Sequence, residues 1–258
     1  AKEIAKEMAL QLDYKPKRLR ELVKTFIPNH QSRYAYLEIR YNSVNDAIRY
    51  VNGSTILEIS SGFSPRGISK QPSSIFFETD LKEMIHLKES IIKKISPINT
   101  DNQHYFEAMN ICLENEVQAI GRKVVELSFD QTTLIAEGLL TYFSDEEKQI
   151  AFDNIYLFLK EFSPKGAFIT PDLSYTLNDE VDFLHKFRKF SELRCHHQNY
   201  FESHEQIMDF LSDRGLHGIR LNNEYLVKDL TCLKYGVDKE LALKIAPAYS
   251  AYVITLKE

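Results

Sequence analysis

A doubly wound α/β fold built on a mostly parallel sheet is what the 258-residue sequence predicts, and two observations carry that expectation. Short apolar strands alternate along the chain with amphipathic segments of about 10 to 15 residues, the pattern of a parallel sheet covered by helices on both faces. The first strand, STILEIS, runs directly into the glycine turn Ser60-Ser61-Gly62-Phe63-Ser64-Pro65-Arg66, and the second, SIFFETD, ends on the acid Asp80. In an open parallel sheet, small ligands settle beyond the carboxyl ends of the strands, where an acid about twenty residues downstream accepts from ribose hydroxyls.

Taken in order, the elements support this architecture. Apolar residues at helical spacing (Ile4, Met8, Leu12, then Leu19, Leu22, Val23, Phe26) predict a helical region broken near Pro16 and ended by Pro28, which with the helix after it makes an N-terminal helical flank over 1–52. Its last helix, over 34–51, leads through Asn52-Gly53 into the first strand, and Gly53 suits a left-handed cap. A helix over 81–95 follows the second strand. The strand HYFEAMNI, a helix over 114–125 and the strand TTLIAEG come next.

Ser144 with Glu147, and Ser203 with Gln206, predict capping boxes that start two further helices, in which each side chain satisfies an amide of the other residue. Between them lie the fifth strand, AFITPDL, and a segment over 174–202 rich in Phe, His, Lys and Arg, read as a lid inserted over the pocket. AYSAYVITLKE closes the chain as a final strand. One domain over 1–258 is the simplest organisation, because a chain of this length and 43% hydrophobic content can bury a single large core.

Charge and cysteine usage exclude several classes of partner. A net charge of −5, with Lys15 to Arg20 as the main basic stretch, gives no electrostatic footprint for nucleic acid. Three scattered cysteines outside any C-x-x-C spacing suggest neither a disulfide framework nor a zinc site, and adjacent His196 and His197 on one helix would point apart. The expectation is therefore no metal, no membrane span and a cytoplasmic setting. Oligomeric state is left open.

The turn itself bears on the ligand. A dinucleotide site requires G-x-G-x-x-G so that backbone can approach a pyrophosphate, whereas this chain offers S-S-G-F-S-P with Gly62 alone in place. S-adenosyl-L-methionine, which brings adenosine, a sulfonium and an amino-acid tail but no diphosphate, fits that turn better than NAD. A lone glycine turn also fits an ordinary strand-to-helix connection. Further sites decide between these readings.

Three segments, ILEISSGFSPRGI, FFETDLKEMIHLK and IAEGLLTYFSDEEKQ, resemble in order the LGAGLDTR, yfEvDlpev and iaEGLLmYLpeee patterns of the leucine carboxyl methyltransferase family. Upstream, EIRYNSVNDAI is similar to the family's aRTraiDda segment, and downstream ESHEQIMDFLSDRGL and the terminal strand also fit. The resemblance spans most of the chain. It implies a Rossmann-like methyltransferase fold with a seven-stranded sheet, S-adenosyl-L-methionine as cofactor and methylation of a carboxyl group on a small molecule or a protein C-terminus.

Position by position, the resemblance implies that Arg40 pairs with the methionine carboxylate and that Ser60 and Gly62 pass the methionine tail close to backbone. Arg66 matches the family arginine after the loop. Glu58 falls where the wider superfamily places an acid facing the methionine ammonium. Asp80 is implied to accept from the ribose, with Glu78 as a substitute of the same strand parity. Asn110 and Ile111 stand where the family has Asp-Leu around the adenine, and Glu137 lies against the donor. Tyr142 would face the methyl group as the catalytic residue.

Each role has a plainer alternative: core packing for Tyr142, a surface role for Arg40. Ser60, Ser61, Ser64, Pro65 and Asn110 depart from the family pattern. A cofactor-binding protein that acts through a partner, or an NAD-dependent oxidoreductase, are the alternative functions. A carboxylate acceptor is already anionic at neutral pH, so direct in-line transfer needs no general base, and the sequence presents none.

Overall fold

The computed structural model describes residues 30–69, 74–95, 103–128, 131–173 and 201–257. The N-terminal helices expected before residue 30, Cys195-His196-His197 and all but the end of the 174–202 insertion lie outside the described residues. The described part opens with helix α1 (His30–Val51), longer at its start than the 34–51 expected from periodicity. Seven strands follow: β1 (Thr55–Ile59), β2 (Ile75–Asp80), β3 (His104–Ala108), β4 (Thr132–Ala136), β5 (Ala167–Thr170), β6 (Leu216–Arg220) and β7 (Tyr252–Leu256). Between them run α2 (Lys82–Ile95), α3 (Glu114–Leu127), α4 (Asp145–Phe162), α5 (His204–Ser212) and α6 (Lys239–Ile245).

The seven strands form one sheet in the order β3-β2-β1-β4-β5-β7-β6. β1 to β5 pair in parallel and β7 runs antiparallel between β5 and β6. This is the doubly wound Rossmann-like methyltransferase sheet expected from the sequence. Strand order reverses between β1 and β4, the switch point where an open parallel sheet leaves a crevice at its carboxyl edge.

Both faces are covered because β1, β4 and β5 are buried throughout and their alternate residues point opposite ways. Leu57, Phe77, Leu134 and Phe168 join Val117 and Ile120 of α3, Phe152 and Phe158 of α4, and Ile207 of α5 in one core. Ile56, Phe76, Ile135 and Ile169 face Val44 and Ala47 of α1 in the other. The outer side of α1, through Ala35 and Ile39, packs on Ala242 and Ile245 of α6. α1 thus lies between the sheet and α6.

Local chemistry matches expectation with two differences. Ser144 and Glu147 form the full capping box of α4, with bonds of 3.1 and 2.8 Å. At α5 the Ser203 hydroxyl accepts from the Gln206 amide at 3.1 Å, but the Gln206 side chain accepts from the amide of Glu202 and leaves the box half made. Asn52, at φ 52°, takes the left-handed position expected of Gly53. Asparagine tolerates that region through its short polar side chain. Gly53 is required for a different reason: a Cβ there would stand 2.3 Å from Thr133 Oγ1. Among the described residues no helix is long and apolar enough to cross a membrane.

Candidate active site

The crevice at the switch point is built from the ends of four adjacent strands, β3, β2, β1 and β4. Ile59 of β1 is the register partner of Ala136 of β4, so Ser60 and Glu137 leave the sheet side by side. Asp80 of β2 is the partner of Ala108 of β3, which places Asn110 next to it. Topology alone therefore brings Ser60, Gly62, Asp80, Asn110, Ile111 and Glu137 to one edge.

The turn after β1 is shaped for close approach. Ser60 (φ 51°) and Gly62 (φ 45°) both adopt left-handed backbone, a conformation that glycine takes at no steric cost and serine does not. Gly62 donates its amide to Asp80 Oδ2 at 2.8 Å, and Asp80 Oδ1 accepts from the Leu81 amide, also at 2.8 Å. These bonds hold the turn and the acid together. Where a side chain on Gly62 would project, no atom lies within 4 Å, so this backbone faces open space beside the carboxylate.

Four charged side chains join in series behind the turn. Arg66 pairs with Glu58, donates from Nη2 to Glu137 Oε2 at 2.7 Å and from Nε to Asn45 Oδ1 at 2.8 Å, and lies over the Tyr41 ring. Arg40 donates from Nε to the other Glu137 oxygen at 2.9 Å and from Nη1 to the Tyr36 hydroxyl at 2.5 Å. Its Nη2 has no partner among the described residues. Burial lifts the Tyr36 hydroxyl to about 12, so it stays a neutral phenol at physiological pH.

Three placements refine the sequence expectations. Glu58, 2% exposed, stands behind Arg66 instead of lining the open crevice. Its Oε2 is buried without a hydrogen-bond partner, and burial raises its pKa against the pull of Arg66 and Lys88. Arg66 is itself buried, so the pair supports the site from below. Glu78 is no substitute for Asp80, because it is fully buried between Lys88 and His104, with His104 Nε2 at 2.8 Å.

The remaining expected residues flank the crevice. Asn110 turns its Oδ1 back to the Cys112 amide at 3.0 Å, and the Ile111 carbonyl accepts from Asn154 Nδ2 at 2.7 Å, which fixes the loop after β3. Tyr142 lies in a 3-10 turn, Leu140–Tyr142, and is 60% exposed, which removes the core-packing alternative for its side chain. It lies near enough to Tyr36 to help raise the pKa of that phenol.

Sequence reasoning missed Tyr36, Asn45, Lys88 and Asp172. For Asp172 a signal was available: an acid two residues after β5, in ITPDL, follows the carboxyl end of a strand parallel to β4, as Glu137 does. Tyr36 shares a helix face with Arg40 at i, i+4 spacing.

No family model and no curated protein sequence matches the chain. Solved structures do. A DUF574 family protein from Streptomyces avermitilis superposes with a TM-score of 0.60 at 12% identity, over 95% of this chain and 92% of that one. An O-methyltransferase family protein from Burkholderia thailandensis gives 0.52 at 14% identity, over 99% and 72%. Human N-acetylserotonin methyltransferase, in complex with SAM, gives 0.50 at 12% identity over 84% of this chain and 51% of that one, so the chain spans about half its length. Likeness at these identities establishes the fold.

Proposed function

We propose that this chain is an S-adenosylmethionine-dependent O-methyltransferase of the leucine carboxyl methyltransferase type, acting on a carboxylate of a small molecule or a protein C-terminus. The observation that carries the reading is the convergence of Gly62, Asp80 and Glu137, the three segments that share the family's motifs, on one crevice at the switch point. The residues fit the donor. Gly62 offers open backbone beside a carboxylate that can accept ribose hydroxyls, and Glu137, its two oxygens accepting from Arg66 and Arg40, stands at the same edge. Arg40 retains Nη2 for a carboxylate.

When bound, S-adenosylmethionine supplies an electrophilic methyl group: a C–O bond forms to the acceptor carboxylate as the C–S bond breaks, and the electron pair stays on sulfur. No proton moves, so the protein's contribution is placement. Holding reactants at near-attack distance can supply about 7 to 11 kcal/mol. Asp80 and the Gly62 amide fix the turn, Arg66 fixes Glu137, and exposed Tyr142 borders the side from which an acceptor would enter.

Two measurements test this. Calorimetry with S-adenosylmethionine and S-adenosylhomocysteine should show binding of both. Incubation of a metabolite or lysate pool with a methyl-labelled donor should then yield a labelled carboxylic ester by mass spectrometry. The mutual engagement of Arg40 and Glu137 favours a second reading, in which the fold has lost the donor site. Absence of heat with either ligand would establish it, and label on nitrogen or nucleic acid would refute the carboxylate chemistry.

A further inference from the structure

Directly after β4, the chain turns through Gly138 at φ 76° and on through Leu139 and Leu140. The three successive amides of this turn point inward at one side chain. Gly138 donates to Asp172 Oδ1 at 3.0 Å, Leu139 to Oδ2 at 2.7 Å and Leu140 to Oδ2 at 3.1 Å. Consecutive N–H groups arranged around a left-handed residue make a concave anion site, the kind of nest that elsewhere holds phosphate or an oxyanion. Here the chain fills it with its own carboxylate, carried from the end of β5 and 7% exposed.

The location gives this closure its meaning. The nest begins at the residue after Glu137 and ends in the 3-10 turn that presents Tyr142. Gly138 lies against Arg40, whose Nη1 would stand 3.2 Å from a Cβ on that glycine, and Asp172 is close enough to Arg40 for each to shift the other's pKa. Apart from Asp172 the segment between Glu137 and Tyr142 is held by the Tyr142 amide bond to the Leu139 carbonyl at 3.0 Å and by burial of Leu140, while the Gly138 and Leu139 amides at its head both donate to Asp172. Charge-assisted bonds to a buried carboxylate are the stronger class and fix such a segment in one geometry.

We infer that Asp172 is a positioning residue of the donor site: by filling the amide nest of Gly138, Leu139 and Leu140 it holds Glu137, Arg40 and Tyr142 in their working arrangement before any ligand arrives. The inference rests on the donor site proposed above, and adds to it a carboxylate that touches neither donor nor acceptor. A functional site held this way is supported from outside the layer that contacts ligand.

The full chain, labelled with nitrogen-15, tests this with and without S-adenosylhomocysteine. In the wild type the amide protons of Leu139 and Leu140 should resonate downfield and exchange slowly already in the free protein. Asp172→Asn keeps the shape of the side chain but sets a donor group against these amides. It should shift the two resonances upfield and weaken S-adenosylhomocysteine binding by about tenfold or more, the effect of losing roughly 1.4 kcal/mol. A folded Asp172→Asn protein that binds within twofold of wild type overturns the inference.

The wild-type arm keeps the question open to refutation should that variant fail to fold. Amides at 138–140 that become protected only when S-adenosylhomocysteine is added would show that ligand, and not Asp172, orders the turn. A wild type that binds no S-adenosylhomocysteine refutes the donor reading instead. Its exchange rates at Leu139 and Leu140 would still report whether Asp172 orders the turn.

Discussion

Glu58 and Glu78 are register partners on adjacent strands, buried on the same face of the sheet under α1, yet they serve different ends. Glu78 has a cationic partner, Lys88, at Oε2, although that oxygen makes no hydrogen bond, and His104 at Oε1, and the same Lys88 reaches on to the Ser61 carbonyl at 3.3 Å. Glu58 is half satisfied, with one oxygen on Arg66 and the other without a partner. The Glu78 cluster stops, through Lys88, at the buried Ser61 backbone of the turn. The Glu58 cluster continues through Arg66, Glu137 and Arg40 to the crevice. Neighbouring acids of one residue type therefore divide into a strut and a site, and what divides them is whether the chain of partners stops at buried backbone or continues through side chains to the open edge.

The strongest test of this contrast is Lys88→Met. It leaves Glu78 buried with His104 as its remaining partner, and breaking a buried pair by removing one member costs about 3–5 kcal/mol. Urea denaturation should show a loss in that range. A loss below about 1 kcal/mol would mean that the Glu78 cluster is not a strut, because that is the size expected of a surface pair.

Next in size is Asp80→Asn, on the site side of the contrast. It removes the charge that accepts from the Gly62 amide and faces the open backbone. Hydrogen bonds to charged groups contribute about 1.5–3 kcal/mol, so S-adenosylhomocysteine affinity should fall by roughly ten- to a hundredfold in calorimetry. The fall in stability should be smaller than that of Lys88→Met. Equal losses of stability in the two variants would erase the distinction.

A pH profile sharpens the comparison further. Burial raises the folded-state pKa of Glu58 above its unfolded value of about 4.3. The native state then binds the proton more tightly, so the stability this group contributes is fully present below the unfolded pKa and is lost as pH rises through the folded one. Glu58→Gln removes that dependence. Subtracting the variant's unfolding free energy from that of the wild type at each pH should give a difference that falls as pH rises from about 4. A flat difference would show that Arg66 compensates fully for the burial.

Much of this was readable in the sequence, for physical reasons that also explain what was not. Strand alternation, the capping pair Ser144 and Glu147, and the acids at strand ends are local patterns, and the local structure follows them. The interior placement of Glu58 was not readable, because it depends on Arg66 folding back over it from beyond a serine-proline turn. Arg40 and Glu137 meet across 97 positions, and Gly138 and Asp172 across 34, distances that topology sets and periodicity does not record. Lys88 is a lysine within α2, a residue type that is seldom fully buried. It is 1% exposed because α2 packs on the same side of the sheet as Glu78.

The smallest expected effect falls on Tyr142, which completes the contrast at the solvent end. Its ring is exposed, and surface substitutions away from special backbone or buried partners usually change stability by less than about 0.5 kcal/mol. Tyr142→Phe should therefore leave the urea midpoint and S-adenosylhomocysteine affinity unchanged. If the hydroxyl orients an acceptor, it should still lower the rate of ester formation or raise the acceptor KM, once an acceptor has been found by the labelling experiment. A stability loss comparable to that of Lys88→Met would instead place Tyr142 among the struts and take it out of the crevice. Because the 3-10 turn that carries Tyr142 is fixed by backbone bonds to Asp172, the phenol ring needs no packing of its own to stay in place. That is why an exposed aromatic can be held ready at this edge while the charges that support it are buried.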